Sequence, residues 1–515
     1  MLIADIDCRS RYQCIVHNVG LLDMRLAEAK RLLPLFVFVC VGLLTAMAIY
    51  VLEDAGRDIE IIDDRMGDTP ITVYNGQGPT VIVGHGFAGS RQFMRAYCLA
   101  IARAGYRVVT FDFLGHGQHP LPMSGDVSAV DGTTQLLVEQ TLSVIDGVSS
   151  TAPVALVGHS MATDVFVRAA LAAPDPVGPV ILISAFSEAI TDTHPPNMLI
   201  INGEWEGRLR TFAQTTLEMI ESGTLEGETI EFAGISRRAV FAPATEHISV
   251  LYSRSGQQEA VRWLNAYFDR TFLPPIPVSG PWILIMLVGL VGLAWPLSYI
   301  LPQRADLGAE QFSRMQIVVL ATLPALIAPP LTVLLNPNFL TILVADHLTV
   351  QLGLYGLIQL VLLRIYRQSN ERFSWIGCIA ILIWGLGLFG TALDRYTANF
   401  FPPSERIFVI VALALGAIPF MVADTLISNQ GRTNWLQRGL VHGAFFGSLG
   451  FAVVLDIEEL FFLVMIAPII LLYMIIFGLV GRWVSKRQGA IGTGMGLGLC
   501  LAWALGVSFP TFAME

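Results

Sequence analysis

The stretch PVALVGHSMATDVFVRAA, from Pro153 to Ala170, changes character at one serine. The apolar run that ends at Val157 is typical of a buried strand, and the residues after Ser160 have helical spacing. Two residues to either side of the serine stand small residues, Gly158 and Ala162, as a sharp turn requires. The pattern therefore predicts a strand, a tight turn with Ser160 at its tip, and a helix.

Strand and helix patterns alternate throughout residues 53–280. Such alternation predicts an α/β domain with a mostly parallel, doubly wound sheet. Sites in these sheets form beyond the carboxyl ends of the strands, which is where Ser160 falls. We predict strands near 58–63, 70–75, 79–84, 107–112, 153–158, 179–184, 198–202 and 238–242, and helices near 90–104, 133–147, 160–172, 208–222 and 256–269.

Several segments resemble one known family. VGHSMA is similar to the nucleophile elbow of the α/β-hydrolase fold, whose pattern is G-x-S-x-G, although Ala162 replaces the second glycine. Thr80–Met94, TVIVGHGFAGSRQFM, resembles the family's strand and His-Gly loop, and Tyr106–His119, YRVVTFDFLGHGQH, resembles its next strand and Asp-x-x-G-x-G loop. Ala239–Ser253 follows in the family's order. The resemblance, to esterase-like and lipase-like serine hydrolases, implies the α/β-hydrolase fold.

The resemblance also implies a set of site residues. Ser160 would be the nucleophile, and His247, just after the last predicted strand, would be the base. Glu206, after the strand NMLIING, matches the position of the acid. The backbone N–H groups of Phe87 and Met161 would form the oxyanion hole. A catalytic serine needs a neighbouring base because its hydroxyl is a poor nucleophile until the base accepts its proton.

Some assignments stay open at this point. Glu204 and Glu188 are alternatives to Glu206 as the acid. His85 is expected to pack within its loop, and His159 is expected to point away from the serine. The sequence also leaves only residues 185–197 between the sixth and seventh predicted strands, too few for a helical cap. An uncapped site of this kind can accept a bulky or membrane-presented substrate.

The remainder of the chain has the composition of a membrane protein. Of 515 residues, 54% are hydrophobic and only 14% are charged, against about 25% charged in soluble domains. We predict a tail at 1–31, an anchor helix at 32–52, the hydrolase-like domain at 53–280 and a membrane domain at 281–515. Translation could start at Met1 or at Met24. Eight further spans are predicted near 281–301, 316–335, 347–366, 374–393, 406–427, 439–456, 460–481 and 489–509.

Charges in the loops predict the orientation of these spans. Basic residues mark the cytoplasmic side. Nine spans with a cytoplasmic N-terminus put every strongly basic loop on that side and place residues 53–280 outside the cytoplasm, on a bacterial inner membrane. The basic loops carry Arg304 and Arg314, Arg364, Arg367 and Arg372, Arg432 and Arg438, and Arg482, Lys486 and Arg487.

Charge and cysteine usage exclude other classes of function. Residues 53–280 carry 26 Asp and Glu against 14 Arg and no Lys, which argues against nucleic-acid binding. Cys98 is the only cysteine in that range, so no disulfide forms within it, and Cys8 and Cys14 have no partners for a metal site. We expect no cofactor and no metal; membrane lipids are the expected partners, and the oligomeric state stays open.

The sequence thus predicts a membrane-integrated serine hydrolase that cleaves an ester, such as a lipid or an acylated envelope component, through an acyl-enzyme. One alternative is an acyltransferase that uses the same Ser-His-acid site. Another is a non-catalytic sensor or transporter accessory with a hydrolase-like domain.

Overall fold

The computed structural model describes residues 32–125, 130–148, 152–304, 312–366, 371–428 and 433–513. The predicted tail at 1–31, with both possible start codons and with Cys8 and Cys14, lies outside the described residues, as do Arg367 and Arg432. The described chain begins with an apolar helix, α1 (Leu32–Asp54). A turn follows, in which the Ile59 amide donates to the Gly56 carbonyl.

The described part of the hydrolase-like domain contains one nine-stranded sheet, ordered β1-β2-β4-β3-β5-β6-β7-β9-β8. The strands from β4 to β9 in that order run parallel, while β1, β2 and β8 join the edges antiparallel. The strands are β1 (Ile61–Met66), β2 (Thr69–Tyr74), β3 (Thr80–Gly84), β4 (Arg107–Phe111), β5 (Ala155–His159), β6 (Val180–Ile183), β7 (Asn197–Gly203), β8 (Thr229–Phe232) and β9 (Ile235–Ala242).

The prediction of a mostly parallel α/β sheet is confirmed, with two differences. The first strand begins three residues later than predicted, because the turn that ends α1 occupies Gly56–Ile59. Strand β8 was not predicted; it is a four-residue edge strand that forms a hairpin with β9, so only one of its residues, Ile230, is buried. A single buried side chain leaves almost no hydrophobic pattern to read.

Helices cover both faces of the sheet, and each face has its own hydrophobic core. Val109, Leu156 and Ile200 belong to the core on one face, and Val81, Val157 and Ile201 to the core on the other. Successive strand residues alternate between these cores because side chains in a strand point to opposite faces. The helices are α2 (Arg95–Arg103), α3 (Gln135–Gly147), α4 (Met161–Ala172), α5 (Gly207–Glu218) and α6 (Arg254–Tyr267).

In the described residues, nine helices are long and apolar enough to cross a membrane, and they coincide with the nine predicted spans. After α1, seven of them are single helices: α7 (Gly280–Ser298), α8 (Arg314–Leu335), α9 (Ala345–Tyr366), α12 (Ile407–Ile427), α13 (Trp435–Leu455), α15 (Phe462–Gln488) and α16 (Ala490–Ser508). The remaining one consists of α10 (Trp375–Leu382), the π-helical Ile383–Phe389 and α11 (Gly390–Tyr396). The short α14 (Ile457–Leu460) is a single turn and is not one of the nine. The last helix lies inside the bundle, because 72% of its apolar window is buried.

The helical region contacts the carboxyl edge of the sheet. After α16, Phe512 forms a parallel bridge with Met123, in the connection that follows β4. The Thr511 amide donates to the Gly115 carbonyl at 2.9 Å, and the Met123 amide donates to the Thr511 carbonyl at 2.9 Å. The rings of Phe462, at the start of α15, and Phe87 lie 5.8 Å apart. The edge that carries Ser160 therefore faces the membrane-length helices.

Candidate active site

Ser160 occupies a strained turn between β5 and α4. Its backbone angles are φ 53° and ψ −116°, a conformation that a non-glycine residue adopts only where the surroundings enforce it. Gly158 explains why the turn is possible: a Cβ at this position would lie 2.7 Å from the carbonyl oxygen of Ala162. The strand–turn–helix prediction is correct, and the small residue before the serine has a steric cause.

The alanine that departs from the family pattern is accommodated by another glycine. Ala162 is fully buried, and a Cβ on Gly84, at the end of β3, would lie 3.1 Å from the Ala162 methyl and 2.5 Å from the ring of Phe166. The methyl group fits because the neighbouring strand has no side chain at that point. The space that the second glycine of the pattern leaves open is thus provided by β3.

Ser160, His247 and Glu206 form one hydrogen-bonded chain. The Nε2 atom of His247 lies 2.9 Å from Ser160 Oγ, and Nδ1 lies 2.7 Å from Glu206 Oε1. Because a carboxylate only accepts hydrogen bonds, Nδ1 carries the proton and Nε2 is free to accept the serine proton. Next to the histidine, the Glu246 carboxylate accepts from the amides of Ile248 and Ser249, which fixes the turn.

Glu206 is held by more than the histidine. Its Oε2 accepts from the Gly203 amide at 2.5 Å and from Ser184 Oγ at 2.8 Å, and its side chain is 6% exposed. Burial acts to raise the pKa of Glu206, but the hydrogen bonds from His247, Gly203 and Ser184 outweigh it, so the net pKa is lowered. The group is therefore a carboxylate at neutral pH.

The structure distinguishes among the three candidate acids. Glu204 points elsewhere and accepts from the Ala244 amide at 2.7 Å, and Glu188 is exposed in the connection after β6. Only Glu206 contacts His247 among these three. The sequence did not identify Ser184 as a partner of the acid, because its role depends on contact across two strands.

His159 has a partner in the site that the sequence did not identify. Its ring lies 5.0 Å from that of His247, and Nε2 donates to the His247 carbonyl at 2.9 Å. Burial lowers the pKa of His159 to about 4, with the neighbouring His247 as the next contribution. A neutral His159 thus holds the backbone of the histidine that contacts the serine. The visible signal was a histidine adjacent to the serine, but the sequence does not show its partner.

The loop after β3 crosses directly over the serine. A Cβ on Gly86 would lie 2.9 Å from Ser160 Cβ, so the backbone of this loop reaches Ser160 only because residue 86 is glycine. Met161 is the first residue of α4, and an amide at this position has no acceptor within the helix. His85 packs in the loop as expected, since Nδ1 donates to the Gly86 carbonyl and Nε2 accepts from the Phe113 amide.

A cavity of about 380 Å³ lies beside Ser160 and His247. The connection from β6 to β7 covers only residues 184–196, so no cap helix is inserted there. The walls are mostly apolar, and no group of three or more His, Cys, Asp or Glu that could hold a metal occurs in the described ranges. The apolar lining consists of Phe87, Met123, Leu137, Met161, Val165, Phe186 and Leu209.

The sequence model of the α/β hydrolase fold matches residues 79–224, which contain β3 to β7 and α5. RutD of Variovorax paradoxus (strain S110), described as a carbamate hydrolase, is 27% identical over 111 residues, covering 22% of this chain and 40% of RutD. The epoxide hydrolase VrEH1 of Vigna radiata is 27% identical over 25% of this chain and 41% of its own, with a TM-score of 0.21. Dienelactone hydrolase of Anabaena variabilis is 17% identical over 41% of this chain and 98% of its own, with a TM-score of 0.31.

This chain spans about two fifths of the length of the first two relatives, 40% and 41%, and His247 lies beyond the family match. The match over residues 79–224, together with the sheet and the turn at Ser160, nevertheless shows the fold. The chain is an α/β hydrolase-fold domain fused to a helical region whose apolar helices are long enough to cross a membrane.

Proposed function

We propose that this protein is a membrane-integrated serine hydrolase that cleaves a carboxylic ester. The observation that carries the proposal is the hydrogen-bonded chain from Ser160 through His247 to Glu206, at the wall of an apolar cavity. A nucleophile, a base and an orienting carboxylate in this order are what acyl transfer to a serine requires.

The reaction proceeds in two steps. Ser160 Oγ attacks the ester carbonyl while its proton moves to His247 Nε2, and the negative oxygen is stabilised by the amides of Phe87 and Met161. His247 then gives the proton to the departing alkoxide, which leaves an acyl group on the serine. Water, deprotonated by His247, attacks this acyl-enzyme; the acid is released and Ser160 regains its proton. Glu206 holds the imidazole in the required tautomer and stabilises its charged form.

The surroundings of the site favour a hydrophobic acyl substrate. The cavity wall is apolar, no cap helix separates it from the helical region, and Phe87 contacts Phe462 of α15. An ester in a lipid or in an acylated envelope component reaches this edge from the membrane. RutD, the relative described as a carbamate hydrolase, supports the wider class of carbonyl substrates but not the choice of ester.

We further propose that the hydrolase domain lies outside the cytoplasm, in the periplasm or at the cell surface. The positive-inside rule supports this orientation, because the basic loops of the helical region all lie opposite the loops that contact the sheet. Cysteine labelling of an exposed site in the domain, in intact cells and in inverted vesicles, tests it. Labelling only in inverted vesicles refutes it.

A fluorophosphonate probe tests the catalytic proposal without knowledge of the substrate. We expect the full-length protein to be labelled on Ser160, as located by mass spectrometry, and Ser160→Ala to remain unlabelled. Ser143→Ala is the matched control, because its hydroxyl is exposed and bonds only to the carbonyl of its own helix. Folded wild-type protein that resists the probe contradicts a serine hydrolase. Product analysis with and without alcohol acceptors separates hydrolysis from acyl transfer.

A further inference from the structure

A second cavity, of about 160 Å³, lies between the hydrolase domain and the membrane-length helices. Ala88, Gly89 and Ser90 line it from the loop after β3, whereas Phe87 of the same loop lines the cavity beside Ser160. The loop therefore separates two cavities. On the other side the walls come from the start of α12 and the end of α16, including Arg406.

Arg406 is a buried cation bound only by carbonyl oxygens. It is 2% exposed; Nη1 donates to the carbonyls of Gly506 and Phe509 at 3.2 and 2.5 Å, and Nη2 donates to that of Gly115 at 2.6 Å. Nε has no partner among the described atoms. Arg237 is also buried and also surrounded by carbonyl oxygens, but its Nε, Nη1 and Nη2 atoms all donate hydrogen bonds. Arg406 differs from it in having an unpartnered Nε.

The positive charge of Arg406 has no negatively charged partner among the described residues. None of the described carboxylates lies within ion-pair distance of it, and no carboxylate lines the cavity. Buried charges in proteins are paired or fully hydrogen-bonded, because an uncompensated charge in a medium of low polarity is costly. Arg406 lines the cavity and its Nε–H has no partner among the described atoms, so an anion is the acceptor that suits it best.

Two neighbouring side chains add donors and acceptors. Asn399 is 7% exposed and neither its Oδ1 nor its Nδ2 has a partner in the described structure. His116 is 1% exposed; Nδ1 donates to the Leu114 carbonyl at 2.8 Å, which leaves Nε2 as an unpartnered acceptor. Burial, followed by the nearby His85, lowers the pKa of His116 well below its usual range, so the ring stays neutral. A matching ligand accepts from Arg406 and Asn399 and donates to His116.

We propose that this cavity binds a phosphate group that retains a proton, either inorganic phosphate or the head group of a phosphate-monoester lipid. Such a group presents a charged oxygen to Arg406 and an O–H to His116 Nε2. The second pKa of a phosphate monoester is near 6, so part of the ligand keeps its proton close to neutral pH. The cavity exceeds the roughly 30 Å³ share of one water. Ile469 of α15, which is 37% exposed, also lines it.

Thermal unfolding of the full-length protein in detergent tests the binding. We expect inorganic phosphate to stabilise it, with about a 100-fold rise in the folded-to-unfolded ratio at 100 times the Kd. Sulfate, which carries no proton near neutral pH, should stabilise it much less. Asn399→Leu should abolish the phosphate effect, while Asn338→Leu, an exposed asparagine lining a different cavity, should keep it.

Lipid composition separates the two sources of phosphate. In nanodiscs of phosphatidylcholine, added phosphatidate, a monoester, should stabilise wild type but not Asn399→Leu, while phosphatidylglycerol, a diester, should have little effect. Stabilisation by inorganic phosphate alone identifies the free ion as the ligand and still supports the site. No effect of either ligand, an equal effect of sulfate, or an effect that survives Asn399→Leu overturns the proposal and leaves water in the cavity. Labelling of Ser160 is read separately, so this outcome is independent of the catalytic proposal.

Discussion

Replacing Glu206 by glutamine gives the sharpest test of the geometry around His247. In the wild type, Glu206 Oε2 accepts two hydrogen bonds, from the Gly203 amide and from Ser184, and Oε1 accepts from His247. A glutamine has only one oxygen. The backbone amide of Gly203 can only donate, so the side-chain oxygen of the new glutamine must face Gly203. The NH₂ group of the glutamine then faces His247.

The expected loss of activity depends on how strongly the glutamine side chain prefers this orientation over the opposite one. Turning the amide around would leave the Gly203 N–H unpaired, which costs about 1–3 kcal/mol, or roughly 5- to 150-fold in population. In the favoured orientation His247 Nδ1 must accept, so Nε2 carries the proton and no longer accepts from Ser160. The lost carboxylate charge adds to this, and the total approaches the about 10⁴-fold fall in kcat that the same change causes in a serine protease triad.

The assay is the second-order rate of fluorophosphonate labelling, together with hydrolysis of a short p-nitrophenyl ester. Glu204→Gln is the matched control, because Glu204 is exposed and bonds to the Ala244 amide instead. Glu206→Asp keeps the charge and should retain more activity than Glu206→Gln. If Glu206→Gln is labelled as fast as Glu204→Gln, with both proteins folded, the carboxylate does not set the tautomer and our reasoning is wrong.

Three further predictions concern the turn, its histidine and the loop above it. Gly158→Ala places a Cβ 2.7 Å from the Ala162 carbonyl oxygen and should lower the free energy of unfolding by about 3 kcal/mol, while Ala162→Gly should lower it by only about 1 kcal/mol; equal melting temperatures of the two variants would contradict this. Burial lowers the pKa of His159 to about 4, so between about pH 6.5 and pH 4 the unfolded chain binds a proton that the folded protein does not. The free energy of unfolding should therefore fall by up to ~3 kcal/mol as the pH drops through this range. His159→Gln should make the melting temperature depend less on pH over the same range. Phe462→Ala removes the ring that packs on Phe87 and should lower kcat by up to about 10²-fold with KM little changed; a change confined to KM would argue against a positioned loop.

Much of the fold was predictable because its signals are local. The alternation of strand and helix patterns located eight of the nine described strands, and the apolar runs located the nine membrane-length helices. Periodicity acts over a few residues, so it survives in any context. Strand β8 was missed because only one of its side chains is buried.

The pairing of site residues was predictable only through the family resemblance. His247 lies 87 positions from Ser160 and 41 from Glu206, and no local pattern encodes such distances. The resemblance gave the order of the residues but left Glu204 and Glu206 as alternatives. The turn after β7 decided between them, since it aims one carboxylate at the histidine and the other at the Ala244 amide.

By itself, the sequence determined the strand-turn-helix at Ser160, the two kinds of region and the residues able to form a site, because these depend on the steric demands and polarity of neighbouring residues. Only the tertiary structure decided that His159 and Ser184 support the site, that Gly84 makes room for Ala162, and that Arg406 and His116 from different regions share one cavity. Those contacts join distant parts of the chain, and their geometry is set by how the sheet and the helices pack.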